Sequence, residues 1–276
     1  SDCFNIDTSK IENNITAHTR AIMVVHNFGW PVDITRVHSL SAKYDLPIFE
    51  DAACALGSSM RGTRCGNLGR LAAFSFHPRK ILTTGEGGAV VTDDPAIART
   101  VRELRNHGQV YGNNIDFVVA GYNYRMTEFQ AALGVSQMKR FNAVLRARRR
   151  AAEYYNHAIA DIEYLRLPFY DGSRRLNYQT YIVSVENGWR DALIAHLIDE
   201  GIEAGIGTYS IPHTAYYSEG YHVDESHYPN SLRFQRNLIS LPLFEDISTR
   251  QQDRVIRSLK TFAPEKTPEL VMEQTV

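Results

Sequence analysis

Apolar positions along the first half of the chain switch between two periods. Ala21-Ile22-Met23-Val24-Val25-His26 is a short run rich in β-branched residues and predicts a buried strand. Ile34, Val37, Leu40 and Tyr44 then recur at helical spacing, with Asp33 placed to cap the segment. Leu46 to Phe49 predicts a second strand, ending in Glu50-Asp51. Strand, helix and strand within about thirty residues make a parallel βαβ unit. Leu71 to Phe76 and Gly88 to Thr92 predict further strands, joined through the glycine-rich turn Thr83 to Gly88.

Thr127-Glu128-Phe129-Gln130 has the form of a capping box. It opens a long amphipathic helix with Phe129, Leu133, Met138, Phe141 and Leu145 along one face. Gly134 inside that helix costs about 1 kcal/mol against alanine, which points to a close neighbour. Beyond residue 160 the texture changes. Tyr178 to Glu186 and Ile202 to Tyr209 read as strands, Ile239 to Phe244 as extended, and Arg190 to Glu200 as a helix stopped by Gly201. Ser248 or Thr249 caps a last helix to Phe262. The pattern predicts an α/β fold. A mostly parallel sheet with helices on both faces occupies residues 1–150, a smaller C-terminal α/β domain residues 151–262, and a polar tail residues 263–276.

The 276 residues carry 30 basic and 31 acidic side chains, a net charge of −1. That balance gives no electrostatic reason to expect nucleic acid or an anionic membrane as partner. No apolar run approaches the roughly 18 residues needed to span a bilayer, and no signal peptide is visible. Cys3, Cys54 and Cys65 are an odd set without a CxxC pair, which argues against a disulfide scaffold and a Cys-based zinc site. A reducing cytoplasm is the expected compartment, and no metal site is expected. Arg146, Arg148, Arg149 and Arg150 read as a solvated helix face. His222 and His227, with Asp224 and Glu225 between them, read as an exposed loop.

In an open parallel sheet, ligands bind beyond the carboxyl ends of the strands. Asp51 stands at one such end, and Ser75 with Lys80 at another. A carboxylate and a lysine converging there suit pyridoxal phosphate (PLP): the acid holds the pyridine nitrogen protonated, and the amine forms a Schiff base and shuttles protons. By itself the pattern also fits a helix cap and a surface lysine.

Five motifs occur in order: Glu50-Asp51-Ala52-Ala53, Phe74-Ser75-Phe76-His77-Pro78-Arg79-Lys80, Thr84-Gly85-Glu86-Gly87-Gly88, Asn106-His107-Gly108 and Gly121-Tyr122-Asn123-Tyr124-Arg125-Met126. Together they resemble the DegT/DnrJ/EryC1/StrS family of sugar aminotransferases, fold-type-I PLP enzymes. The resemblance extends through Pro212-His213-Thr214 and Ser240-Leu241-Pro242-Leu243-Phe244 to about Phe262. It implies that Lys80 is the Schiff-base lysine and Asp51 the partner of the pyridinium nitrogen. It further implies Ser75 on the cofactor phosphate and Asn123 reaching that phosphate from the second subunit of a homodimer. Arg125 would lie near the same interface and His213 near the sugar nucleotide, both on the substrate side. The implied reaction moves an amino group, with glutamate as the expected donor, to a nucleotide-linked keto sugar, with pyridoxamine phosphate as the intermediate form of the cofactor. The alternatives are a non-catalytic relative of the same fold and a PLP-dependent sugar dehydratase; the dehydratases typically carry histidine where Lys80 stands.

The sequence departs from the family pattern twice. Where the family commonly has Gln or His against the cofactor, this chain has Cys54. The N-terminal portion that normally precedes the equivalent of Phe4-Asn5-Ile6-Asp7, with its phosphate-holding turn, is not among these 276 residues.

Overall fold

In the computed structural model, residues 4–111 and 115–263 are described. Residue contacts divide the polypeptide into two units, Ser1–Arg150 with Phe169–Thr180, and Ala151–Pro168 with Tyr181–Val276. Phe169–Thr180 thus returns to the first unit after the chain has entered the second. Cys3 and residues 264–276 of the expected tail lie outside the described residues.

The first unit begins with β1 (Ile22–Val25), α1 (Ile34–Tyr44) and β2 (Ile48–Asp51). A short hairpin follows, β3 (Ser59–Met60) and β4 (Thr63–Arg64), then β5 (Leu71–Ser75), β6 (Gly88–Val91) and α2 (Pro95–Leu104). A second hairpin, β7 (Gln109–Tyr111) and β8 (Ile115–Phe117), leads to the long helix α3 (Glu128–Ala158). The main sheet runs β1-β2-β5-β6, with the first three strands parallel and β6 antiparallel to β5. The helices start where the sequence provides acceptors. Asp33 Oδ1 accepts from Thr35 N, Asp94 Oδ1 from Ala96 and Ile97 N, and Thr127 and Gln130 form the capping box of α3.

Register assigns the two acids at the end of β2 to opposite faces. Val24, Glu50 and Ala72 are cross-strand partners and face the buried core with α1. Val25, Asp51, Ala73 and Val90 line up on the other face. There Val25 is 38% exposed, Val90 45% and, one row back, Met23 63%. The expectation of helices on both faces therefore holds for the α1 side, whereas apolar side chains on the Asp51 side stay open among the described residues.

On α3, Phe141 and Leu145 are buried with Leu82, as the periodicity predicts. Phe129, Leu133 and Met138 are instead exposed, Phe129 at 91%, because no element among the described residues covers that face of the first turns. A Cβ at Gly134 would come within 3.0 Å of the Thr84 methyl, so the expected close neighbour is the glycine-rich turn. The expected solvated arginine face is corrected for two residues. Arg148 is buried and donates to the carbonyls of Tyr178 and Gln179, while Arg149 donates to those of Leu176 and Gly57. Both guanidiniums satisfy backbone that has no ladder partner.

After α3 come β9 (Leu165–Arg166) and β10 (Arg174–Arg175), the latter pairing with β3. The second unit continues with β11 (Tyr181–Val185), α4 (Arg190–Asp199), β12 (Gly205–Ile206), α5 (Ala215–Gly220), α6 (Pro229–Asn237), β13 (Leu238–Leu241) and α7 (Thr249–Thr261). Its antiparallel sheet, ordered β12-β13-β11-β9, packs a core of Tyr155, Leu193, Leu197, Leu238, Ile239 and Leu259. The strand expected over 202–209 shrinks to Gly205–Ile206, because Gly207 ends the pairing with β13 and the chain turns into a short helix at Ile211–His213. No helix among the described residues is long and apolar enough to cross a membrane.

Candidate active site

Parallel strands β2 and β5 deliver Asp51 and Ser75 to the same, carboxyl end of the sheet, and the loops that follow bring Cys54 and Lys80 together. Lys80 Nζ donates to Cys54 Sγ at 3.0 Å. Asp51 Oδ1 accepts from Ala53 N at 3.0 Å, which leaves its second oxygen without a partner among the described residues. Ser75 Oγ accepts from His77 N at 3.3 Å, and its proton is not donated within the described residues. Lys80 makes no ion pair there. One end of the sheet thus carries an amine bonded to Cys54 alone, and a carboxylate oxygen and a hydroxyl proton without a partner, among the described residues.

The backbone under these groups is held by Gln179, which the sequence reading placed in a strand over Tyr178 to Glu186, and by Asn177 just before it. Asn177 is buried, and its Nδ2 donates to the carbonyls of Cys54 and Leu56. Gln179 brackets the lysine: its Oε1 accepts from Ile81 N, and its Nε2 donates to the Arg79 carbonyl. Tyr178 between them sits at φ 53, so the segment is no strand and β11 begins only at Tyr181. The signal was present as two carboxamides two apart, but nothing local says which carbonyls they reach.

The Asp51 strand is anchored from its other face. Glu50 is buried, with Oε2 accepting from His26 Nε2 at 3.0 Å and from Gly66 N, and Oε1 accepting from Leu68 and Gly69 N. His26 Nδ1 accepts from Val32 N at 3.0 Å, so the ring proton lies on Nε2, toward the carboxylate. Burial raises the Glu50 pKa, but the His26 bond and three amides outweigh it and hold the group below the usual glutamate range. His26, Glu50 and Cys65 also place their ligand atoms within 4.8 Å of one another, a grouping the sequence reading missed. Both ring nitrogens and both carboxylate oxygens already hold internal partners, so the cluster serves as a strut under β2. The Cys65 thiol is pushed up by burial and by the Glu50 charge.

Asn123 and Arg125 lie on the segment after β8. Asn123 forms an isolated bridge with Asn106, and Arg125 Nη1 donates to Asn106 Oδ1 at 2.7 Å. The motif glycines make that crossing possible: a Cβ on Gly108 would lie 1.6 Å from the Val119 carbonyl oxygen, and one on Gly121 2.2 Å from Gly108 N. Both Asn123 and Arg125 are exposed. His213 belongs to the second unit, where its Nδ1 meets Ser210 Oγ at 2.6 Å and Ser210 also donates to Ser231. A cavity of about 860 Å³ between the β3–β4 hairpin and the middle of α3 contains neither Asp51 nor Lys80.

The model of the DegT/DnrJ/EryC1/StrS aminotransferase family matches residues 1–260. The chain belongs to this family. Over 205 residues it is 38% identical to GDP-perosamine synthase of Caulobacter vibrioides, an alignment covering 73% of this chain and 55% of that protein. It thus spans about half the length of the curated relative it matches. Among solved structures it resembles DesV of S. venezuelae, determined in complex with a ketimine intermediate, with TM-score 0.86 and 33% identity over 93% of this chain and 68% of that one. The PLP form of Spr1654 from Streptococcus pneumoniae superposes with TM-score 0.86 at 27% identity, covering 94% of this chain and 72% of that one. The fold is accordingly fold type I, as expected from the motifs.

Proposed function

We propose that this family member acts as a PLP-dependent aminotransferase. In this reading it takes the amino group of an amino acid, glutamate being the expected donor, and places it on a nucleotide-linked keto sugar in the cytoplasm. The observation that carries the reading is the set at the sheet's carboxyl end: the Lys80 amine, bonded to Cys54 alone, and the second Asp51 oxygen and the Ser75 hydroxyl proton, which have no partner among the described residues. Their chemistry fits the cofactor's aldehyde, ring nitrogen and phosphate in turn. When bound, PLP supplies an electron sink and carries the amino group between the two substrates in its pyridoxamine form.

Within that reading Lys80 Nζ would hold the cofactor and would be the group that moves the donor's α-proton. A proton shuttle of this kind is worth about 10² to 10⁴ in rate. Asp51 Oδ2 holds the proton on the ring nitrogen. Ser75 binds the phosphate, and Cys54 lies beside the amine. Asn123 serves the cofactor of a second copy in a homodimer, with Arg125 toward the substrate. The stacked, exposed Tyr122 and Tyr124, which flank Asn123, and the bare Phe129 at the start of α3 support an interface there.

Borohydride reduction of PLP-loaded protein followed by peptide mapping tests the reading. The label is expected on Lys80, with a visible absorbance band that shifts when glutamate is added. Label on Lys43 or Lys139, or a band that glutamate leaves unchanged, refutes it.

A further inference from the structure

The Cys54–Lys80 contact brings a thiol and an amine to 3.0 Å at the carboxyl end of the sheet. Cys54 is half-buried and has a cationic neighbour, whereas Cys65 is sealed in the core with its thiol pushed up. Accessible thiols in electropositive surroundings are the ones that oxidants find. The pair is also held in place at both ends. Asn177 fixes the Cys54 carbonyl, and Gln179 ties the peptide groups on either side of Lys80. The amine nitrogen already stands 3.0 Å from the sulfur.

We propose that Cys54 and Lys80 form an oxidative cross-linking site. A peroxide oxidises the Cys54 thiol by two electrons to the sulfenic acid and is itself reduced to water (or, for an organic peroxide, an alcohol). The neutral Lys80 amine then attacks the sulfur; the S–N bond forms, the S–O bond breaks, and a water carries away one amine proton. The resulting sulfenamide loses two hydrogens relative to the starting pair. It is reopened by a thiol, which returns the amine and the thiol group through a mixed disulfide. Resting on the reading above, the link would switch off the lysine that attaches the cofactor, and a cofactor already attached there would shield it.

The experiment treats the full chain with hydrogen peroxide, without cofactor and loaded with PLP, and maps tryptic peptides by mass. In the cofactor-free protein the peptide Tyr44–Arg61 is expected joined to Lys80–Arg99, about 2 Da lighter than the two together, with no cleavage after Lys80. Dithiothreitol restores both, and Cys54→Ser and Lys80→Arg each abolish the joined species. Loss of the link in the PLP-loaded sample supports both the site and the role of Lys80. A link formed equally with and without PLP leaves the site standing and refutes the attachment role. Cys54 carrying only added oxygen, with cleavage after Lys80 intact in the cofactor-free protein, overturns the proposal.

Discussion

Glu50→Gln isolates the strut beneath the candidate site. The wild-type carboxylate accepts four hydrogen bonds, from His26 Nε2 and from the amides of Gly66, Leu68 and Gly69. A glutamine oxygen can keep Leu68 and Gly69, but its NH₂ then faces Gly66 N–H and the His26 ring proton. Moving that proton to Nδ1 only transfers the conflict to Val32 N–H, which Nδ1 now accepts. In either tautomer two donors lose their acceptors, the part-buried Gly66 N–H and one fully buried donor at the His26 ring. At roughly 1–3 kcal/mol for each orphaned donor, the loss comes to about 2–6 kcal/mol. That is a large share of the 5–15 kcal/mol typical of a folded protein. Urea unfolding followed by tryptophan fluorescence measures it cleanly, because Trp30 lies in the first unit and Trp189 in the second, so a Trp189→Phe background reports the first unit alone. The pH dependence supplies a second check. Glu50 is held below its ordinary pKa in the folded protein, so in the interval between the folded and unfolded values the unfolded chain binds the extra proton. Its stabilisation is therefore complete above the ordinary glutamate range and is lost as pH falls through the lowered folded value. Glu50→Gln should lack this component. A loss below about 1 kcal/mol, or an acid profile identical to wild type, would refute the four-donor account.

Arg148→Lys replaces a fork on the Tyr178 and Gln179 carbonyls by a single point donor, and should cost about 1–3 kcal/mol in the same unfolding assay; a change within about 0.5 kcal/mol would mean that the fork contributes nothing. Asp51→Asn should abolish turnover while circular dichroism stays unchanged, and near-normal activity would remove the carboxylate from the reaction. Mixing Asn123→Ala with Lys80→Ala tests the shared site. Random subunit exchange leaves about a quarter of all sites intact, so activity should return from two inactive parents, and verified exchange without recovery would place Asn123 outside the partner's site.

The sequence by itself determined the elements whose causes are local. Asp33 and the Thr127–Gln130 box start their helices where the side-chain acceptors stand, and β-branched runs became strands because their period permits little else. It also carried the ordered motifs that mark the family, since Asp51, Ser75 and Lys80 sit at fixed offsets from strand ends. Only the tertiary structure decided what depends on distant partners. Adjacent acids Glu50 and Asp51 look equivalent in the chain, yet register turns one into a buried strut and leaves the other open at the sheet's end. Arg148 looks like one of a run of surface charges until the carbonyls at 178 and 179, thirty residues away, come to meet it. The same holds for Asn177 and Gln179, whose carboxamides reach the loops of Cys54 and Lys80 about a hundred residues earlier. Periodicity records which face a side chain occupies, but a hydrogen bond between segments is set by where the whole fold brings each backbone group, and no local pattern encodes that.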